Sequence, residues 1–544
     1  MKRKLVALLC TAAMAATMLT GCGNDAEKTE ESVKQSGGQT EAEDSSEEES
    51  AAGDQEAEAP SEEAELEYVE LKWDVLSFQM DNIKDLDMIQ SALDEYFLEK
   101  LNCKVVLNIM DWGTYGDTVP TKLMSGEEVD LCTINTALSY NNYASMGAFY
   151  PIDTLWDEYG TEVKGLFNEG VWESLTINDH IYAVPILKDN CYIIGYIYNA
   201  TLAEELGLDM EQGWSGLKEM EDFMIEALAL RDEKFPEYKG MPLVASHADF
   251  SPFYMPMETF GCDRIAVCNI PGKEIAPEYG TNTVFNAYES EEYREICLLK
   301  QRLVAAGVNA YDSSIYETSL TAEPSTLLDT AWGYTWISEE LYGDQYKTKL
   351  VLFDNPWTDS GNYTGAMTAI GANCKNPERA MMALQLVNTD PYVATLLRFG
   401  IEGEHWEYDE NHKMQLTNRN ADVSNPGWLQ WYGPFYGNLT IVEAPESYGG
   451  PDGVMLQKMA EYNNKAILAA HMGFVMDTSA IENELSACNN VLSEYGNLLW
   501  GGQLESQEAV NEAVDKLIEK LKENGSDKIV EEVQRQIDAW EASK

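Results

Sequence analysis

The stretch "LKWDVLSFQMDNIKDLDMIQSALDEYFLEKLNCKVVLNIM", Leu71–Met110, decides the fold class. It opens with a short apolar run of strand character. Leu86, Ile89, Leu93 and Phe97 then fall at helical spacing, and "KVVLNIM" is a second strand-like run. A third, "VDLCTI", ends at Ile134. Short apolar strands alternating with amphipathic helices predict a parallel sheet covered by helices, an α/β protein. In open α/β sheets, ligands lie beyond the carboxyl ends of the strands. "MDWGTYGD" follows the second strand and "NTALSYNNY" the third, so Trp112, Tyr115, Asn135 and Tyr140 are expected where a ligand could be met. Gln79 and Asp81, after the first strand, are candidate hydroxyl partners, with a solvated loop as the competing reading for each.

Downstream the alternation continues. Pro185 interrupts an extended stretch and suits a connection between lobes. Leu217, Met220, Met224, Ala227 and Leu228 line one face of a helix. "TAWGYTWIS" presents Trp332, Tyr334 and Trp336 at alternating positions, and "KLVLFDNPW" is another strand. Asn376 and Pro377 read as the N-cap and first residue of a helix. The C-terminal "VDKLIEKLKENGSDKIVEEVQRQIDAW" reads as a helix, a Gly-containing turn and a second helix buried through Ile529, Val533, Ile537 and Trp540.

Upstream of this body the pattern differs. Lys2, Arg3 and Lys4 precede an apolar run, Leu5–Leu19, too short for a membrane span and suited to a secretory signal. The run ends in Leu19-Thr20-Gly21-Cys22, which resembles the lipobox of bacterial lipoproteins. The resemblance implies cleavage before Cys22 and lipidation of that cysteine, so residues 1–21 are a signal peptide. The competing reading is an uncleaved anchor or an ordinary secreted protein. Several acyl chains would give stable anchoring at the outer face of the cell membrane. Residues 23–70 hold 18 acidic and 2 basic residues, with no aromatic before Tyr68. With Cys22 they read as a disordered acidic tether, 22–70, with a mean reach of about 40 Å. Of the net charge of −58, most resides in the body. A surface so acidic repels phosphate backbones and excludes ordinary nucleic-acid binding.

No catalytic motif stands out. The histidines at 180, 247, 405, 412 and 471 form no HExxH or other metal spacing. There is no GxSxG, Walker loop or EF-hand-type loop, and acidic pairs such as Glu127-Glu128 read as solvated faces. No cofactor, no metal and no enzymatic activity are expected. Eight cysteines remain after Cys10 and Cys22. Cys262 and Cys268 are the nearest candidate pair, but the apolar contexts of Cys103, Cys132 and Cys191 favour few or no disulfides.

Several stretches together resemble the extracellular solute-binding proteins of bacterial ABC importers, in the maltose-binding-like family. They are "MSGEEVDLCTI", "MGAFYPIDTLWDEYG", "INDHIYAVPILKDNCYIIGYIYNATLAEELGL", "NPERAMMALQLVNTDPYVATLLRFGIEGEHWEY" and the C-terminal helices. "GIEGEHW" and the C-terminal region look like a Gram-positive, oligosaccharide-type subfamily. The resemblance implies a two-lobe periplasmic-binding-protein type II fold. Two or three hinge strands would join the lobes around an inter-lobe ligand cleft, with extra C-terminal helices. It places lobe 1 at 71–187, lobe 2 at 188–350, a return to lobe 1 at 351–404, and the completion of lobe 2 with the helical region at 405–544. It also implies a monomer that closes on a sugar or oligosaccharide and docks to ABC permease subunits. Sugars call for aromatic platforms ringed by polar side chains. The candidates are Trp332, Tyr334 and Trp336 first, then Trp112, Tyr115, Gln79, Asp81, Asn135, Asn190 and Tyr192; core packing is the competing reading for the aromatics. Trp428, Trp431 and Tyr432 would line a rim or pack the C-terminal region. The rival readings are the same fold binding a peptide or other polar solute, and a lipid-anchored extracellular glycan hydrolase.

Overall fold

The computed structural model describes residues 66–544 apart from 78–79, 136–137, 193, 212, 215–216, 245–255, 310–324, 333–347, 353–355, 423–424, 431–436 and 446–453. Tyr68–Lys544 forms one compact unit. Among the described residues, no helix is long and apolar enough to cross a membrane.

The opening stretch folds as its pattern predicts. β1 (Val69–Leu76) pairs in parallel with β2 (Cys103–Met110) and β3 (Leu131–Ile134), with Leu71 opposite Val105 and Trp73 opposite Leu107. The helix Leu86–Leu101 between β1 and β2 buries Ile89, Leu93 and Phe97, the residues its 3.6-residue period puts on one face. Each such side chain contributes about 1.5–3 kcal/mol by leaving water. β4 (Ala183–Pro185) is the far edge of this first-lobe sheet.

After Pro185 the chain crosses to β5 (Ile194–Asn199) of the second lobe. There follow a hairpin, β6 (Met257–Thr259) with β7 (Val267–Asn269), and then β8 (Leu328–Trp332) and β9 (Thr348–Leu352). β5 lies between β8 and β9 and is antiparallel to both. The parallel sheet expected from the alternation therefore holds for β1–β3 and not for these three strands. The helix Glu291–Ala305 joins two second-lobe cores. Leu299 and Leu303 face the β5 sheet, with Met220, Met224 and Ala227 of the helix Leu217–Lys234. Tyr293, Ile296 and Cys297 face the C-terminal helices, which end in Gln507–Glu523 and Ser526–Glu541. Ile529, Val533 and Ile537 are fully buried in this second core.

The return runs through β10 (Trp357–Thr358) to β11 (Met367–Ile370), which inserts antiparallel between β3 and β4. Past the expected boundary at 404/405 the described contacts still run to the first-lobe sheet. Trp428 is fully buried in the first-lobe core, and Ile83 bridges to it. His405 Nε2 and Arg419 Nη1 reach Asp85 at 3.3 and 2.8 Å. Leu439, Met459 and Tyr462 pack with Ala394 and Phe399 of the helix Pro391–Phe399. Described residues of this stretch, among them Trp428, Leu439, Met459 and Tyr462, thus pack with first-lobe elements. The chain crosses a third time near 466–476, and only the helices beyond complete the second lobe. All eight described cysteines are buried free thiols, Cys262 and Cys268 included. Burial raises these thiols, Cys103 and Cys262 to about 11.

Candidate functional site

The site is built on the carboxyl ends of β1–β3 and on the segments that cross between the lobes. Past β1, Ser77 donates its backbone N–H to Met110 O at 2.9 Å and its hydroxyl to Gln430 Oε1 at 3.3 Å. Gln430 Nε2 reaches Asn82 O at 3.3 Å, and Asn82 Nδ2 reaches Leu429 O at 3.1 Å. These bonds lay 427–430 across the strand end. Asp81 is exposed in the turn there, and Gln79 lies outside the described residues.

Of the two aromatics after β2, Trp112 is exposed at the start of the helix Trp112–Ser125. Asp111 caps this helix by accepting from Thr114 N at 3.1 Å. Tyr115 is fully buried and donates its hydroxyl to Thr133 O, bracing β3 from the core. Asn135 is buried too; its amide reaches Thr133 O at 3.4 Å, and its carbonyl accepts from Leu138 N at 3.0 Å. Tyr140 is a core residue that donates to Leu175 O at 2.6 Å. All three follow the strand ends with their side chains buried.

Asn190 is the centre of the first crossing. Its Oδ1 accepts from Lys188 N at 2.9 Å, and its Nδ2 donates to Ile186 O and Asn362 O at 3.1 and 3.2 Å. Its backbone N–H donates to Asn463 Oδ1 at 2.9 Å, and its carbonyl accepts from Thr358 Oγ1 at 2.6 Å. With side-chain bonds on both amide atoms, Asn190 ties the first crossing to the second and to the helix Val454–Lys465. Tyr192 stacks on Trp357 with ring centroids 4.1 Å apart and donates its hydroxyl to Asp359 Oδ2 at 3.2 Å. The indole N–H of Trp357 is buried and has no partner. Burial first, then the Glu258 charge, raises the Asp359 carboxyl to about 6, against the bonds from Tyr192 and Asn362.

Trp332 closes β8 opposite Ile194, at the end of β5 where the first crossing enters the second lobe. Tyr334 and Trp336 lie outside the described residues, as do Trp431 and Tyr432. The rim candidate Trp428 is core, its indole N–H donated to Leu397 O at 3.1 Å. Among the described residues, no group of three His, Cys, Asp or Glu could hold a metal ion. Sequence reasoning missed Gln430, Trp357, Asp359, Asn362 and Asn463. "NPWTDSGN" carried a turn signal around three of them, whereas nothing near Asn463 or Gln430 marks a partner hundreds of residues away.

Comparison with known proteins agrees with this architecture. Residues 85–234 match the family described as bacterial extracellular solute-binding protein, and residues 470–542 match a domain of unknown function, DUF3502. A carbohydrate ABC transporter substrate-binding protein of Streptococcus pneumoniae is 24% identical over 489 residues, covering 85% of this chain and 90% of that one. The N-glycan transport solute binding protein of Streptococcus pneumoniae superposes with a TM-score of 0.69 at 21% identity, covering 87% of this chain and 99% of that one. It has also been solved with Man5GlcNAc, with a TM-score of 0.57. An HMO-binding solute-binding protein from Bifidobacterium longum infantis gives 0.55 at 14% identity, covering 87% and 99%. These relatives are described as binding proteins. Residues 85–234 thus match the bacterial extracellular solute-binding family, and the chain as a whole is similar in sequence to a carbohydrate ABC transporter substrate-binding protein and shares the two-lobe fold of solute-binding proteins.

Proposed function

We propose that the protein captures an extracellular oligosaccharide between its lobes and delivers it to an ABC permease. The observation that carries this reading is the pneumococcal carbohydrate relative, aligned over 85% of the chain. A ligand touching both lobes favours the closed state by its differential affinity, and a permease can then tell loaded from empty protein. Trp332, Tyr334 and Trp336 are the proposed sugar platforms. Trp112 and Asp81 are proposed at the first-lobe rim. The unpartnered Trp357 N–H, beside Tyr192, is a further donor. We further propose that Cys22 carries lipid and that 23–70 tethers the body near the permease, raising its effective concentration there.

Calorimetry with a glycan panel that includes Man5GlcNAc tests the reading. Stoichiometric binding without product is expected, and turnover of a glycan would sink the carrier. Trp332→Ala should weaken binding about ten- to a hundredfold, the loss typical of a buried aromatic anchor. Unchanged affinity would remove Trp332 from the site. Cys22→Ser should move the protein from the membrane fraction to the medium; retention at the membrane would count against the anchor.

A further inference from the structure

Among the described residues three crossings join the lobes, and a buried charged cluster sits where these meet. The third crossing pairs with the second through Ile467 N–H to Pro356 O at 3.0 Å and Ala469 N–H to Thr358 O at 2.8 Å. Gly473 N–H donates to Ser360 Oγ at 2.7 Å. The first lobe backs this crossing closely. A Cβ on Gly473, whose φ is +86°, would lie 3.0 Å from the backbone of Ser174. The second lobe holds it through Glu258 on β6. That carboxylate accepts the His471 backbone N–H at 3.2 and 3.3 Å and meets Nδ1 at 2.8 Å. Phe260 packs edge-on against the His471 ring, whose Nε2 is buried without a partner.

Asp359, on the second crossing, is the other acid of the cluster. Tyr192 of the first crossing donates to its Oδ2, and Asn362 donates to its Oδ1 from N and Nδ2 at 3.3 and 3.4 Å. Tyr363 faces it from the short helix Gly361–Thr364. From the second lobe the group facing it is Glu258, with His471 of the third crossing bound to that carboxylate. Both carboxylates are buried, Asp359 on the second crossing and Glu258 on the second-lobe hairpin, and the Glu258 charge acts on Asp359.

We propose that this junction is a proton-responsive latch on lobe movement, in which neutral Asp359 lets the second crossing seat against Glu258 of the second lobe and ionised Asp359 loosens that seat. Nothing in it depends on which solute is carried. The sign follows from linkage. Burial and then the Glu258 charge raise the Asp359 carboxyl to about 6 in the closed junction, and it returns to the ordinary carboxylate range when the junction opens to water. Closure is therefore favoured in acid and lost as pH rises from about 4 through 6. Between pH 5 and pH 7.5 this amounts to about a tenfold change in the opening equilibrium.

Hydrogen exchange on the ligand-free full-length chain tests the latch, with rates corrected for the intrinsic pH dependence. In the wild type, segments 357–363 and 466–474 should exchange about tenfold faster at pH 7.5 than at pH 5. The helix Leu86–Leu101, remote from the junction, should show no such change. Asp359→Asn should hold the slow rate at both pH values. Tyr192→Phe removes a bond to the charged carboxylate and should extend the response to higher pH with a larger amplitude. Equal protection of the wild type at the two pH values would overturn the latch, as would a pH response that survives in Asp359→Asn. A response lost in His471→Gln but kept in Asp359→Asn would assign the titration to the histidine and also overturn it. Should Asp359→Asn fail to fold, an unchanged response in Tyr192→Phe decides against the proposal.

Discussion

Replacing Trp428 by alanine is expected to destabilise the first lobe by about 3–5 kcal/mol, the cost of emptying a large aromatic site in a core that only partly collapses. The side chain is fully buried among residues of the β1–β3 sheet and its helices. Its N–H leaves Leu397 O without a partner when removed, a further penalty within that range. Asn420 holds the Trp428 backbone from both sides, accepting from its N–H at 3.1 Å and donating to its carbonyl at 2.6 Å, so the segment cannot slide to fill the space. Trp428→Phe keeps most of the volume and loses the hydrogen bond, so about 1–2 kcal/mol is expected. Urea unfolding followed by circular dichroism measures both. A loss below about 1 kcal/mol for the alanine variant would mean that 405–430 is an ornament on the first lobe and not part of its core.

That result bears on how far this fold could be read from the chain. The helix Leu86–Leu101 was legible because its burial depends on period alone, and Ile89, Leu93 and Phe97 face the sheet whatever else the protein does. The same holds for Ile529, Val533 and Ile537. The first-lobe packing of Trp428, Leu439, Met459 and Tyr462 was not legible. It is decided by contacts such as His405 with Asp85, which are 320 positions apart, and no local pattern announces a partner at that distance. The candidate site divides along the same line. Strand ends were found by topology, which periodicity encodes. Whether Tyr115 or Asn135 turns inward depends on acceptors such as Thr133 O, which appear only once the sheet is formed. Tyr192 was rightly sought beside the first crossing, yet its partners Trp357 and Asp359 lie more than 160 residues away.

Asn190→Ala should have the second large effect, and its reach is through the crossings instead of through one lobe. The amide is almost wholly buried and saturates three backbone groups, Lys188 N, Ile186 O and Asn362 O. Truncation leaves these groups without that partner in a dry place, at about 1 kcal/mol each and roughly 3 kcal/mol together. Two of them belong to the first crossing and one to the second, so the loss uncouples segments that must move as a unit when the lobes close. Asn190→Asp is expected to be worse than alanine. It keeps the acceptor for Lys188 N, but it replaces both Nδ2 donors with an oxygen facing two carbonyls, and it buries a charge. Limited proteolysis with mass spectrometry reads this out, because cleavage within 186–192 reports local opening of the first crossing without requiring either lobe to unfold. Cleavage there should rise about tenfold or more in the alanine variant, from an opening cost lowered by at least 1.4 kcal/mol, and further in the aspartate variant. Equal cleavage of all three proteins would show that the backbone bonds to Asn463 and Thr358 hold the crossing without the side chain, and that Asn190 is free to be what its position beside the cleft first suggested, a contact for the solute.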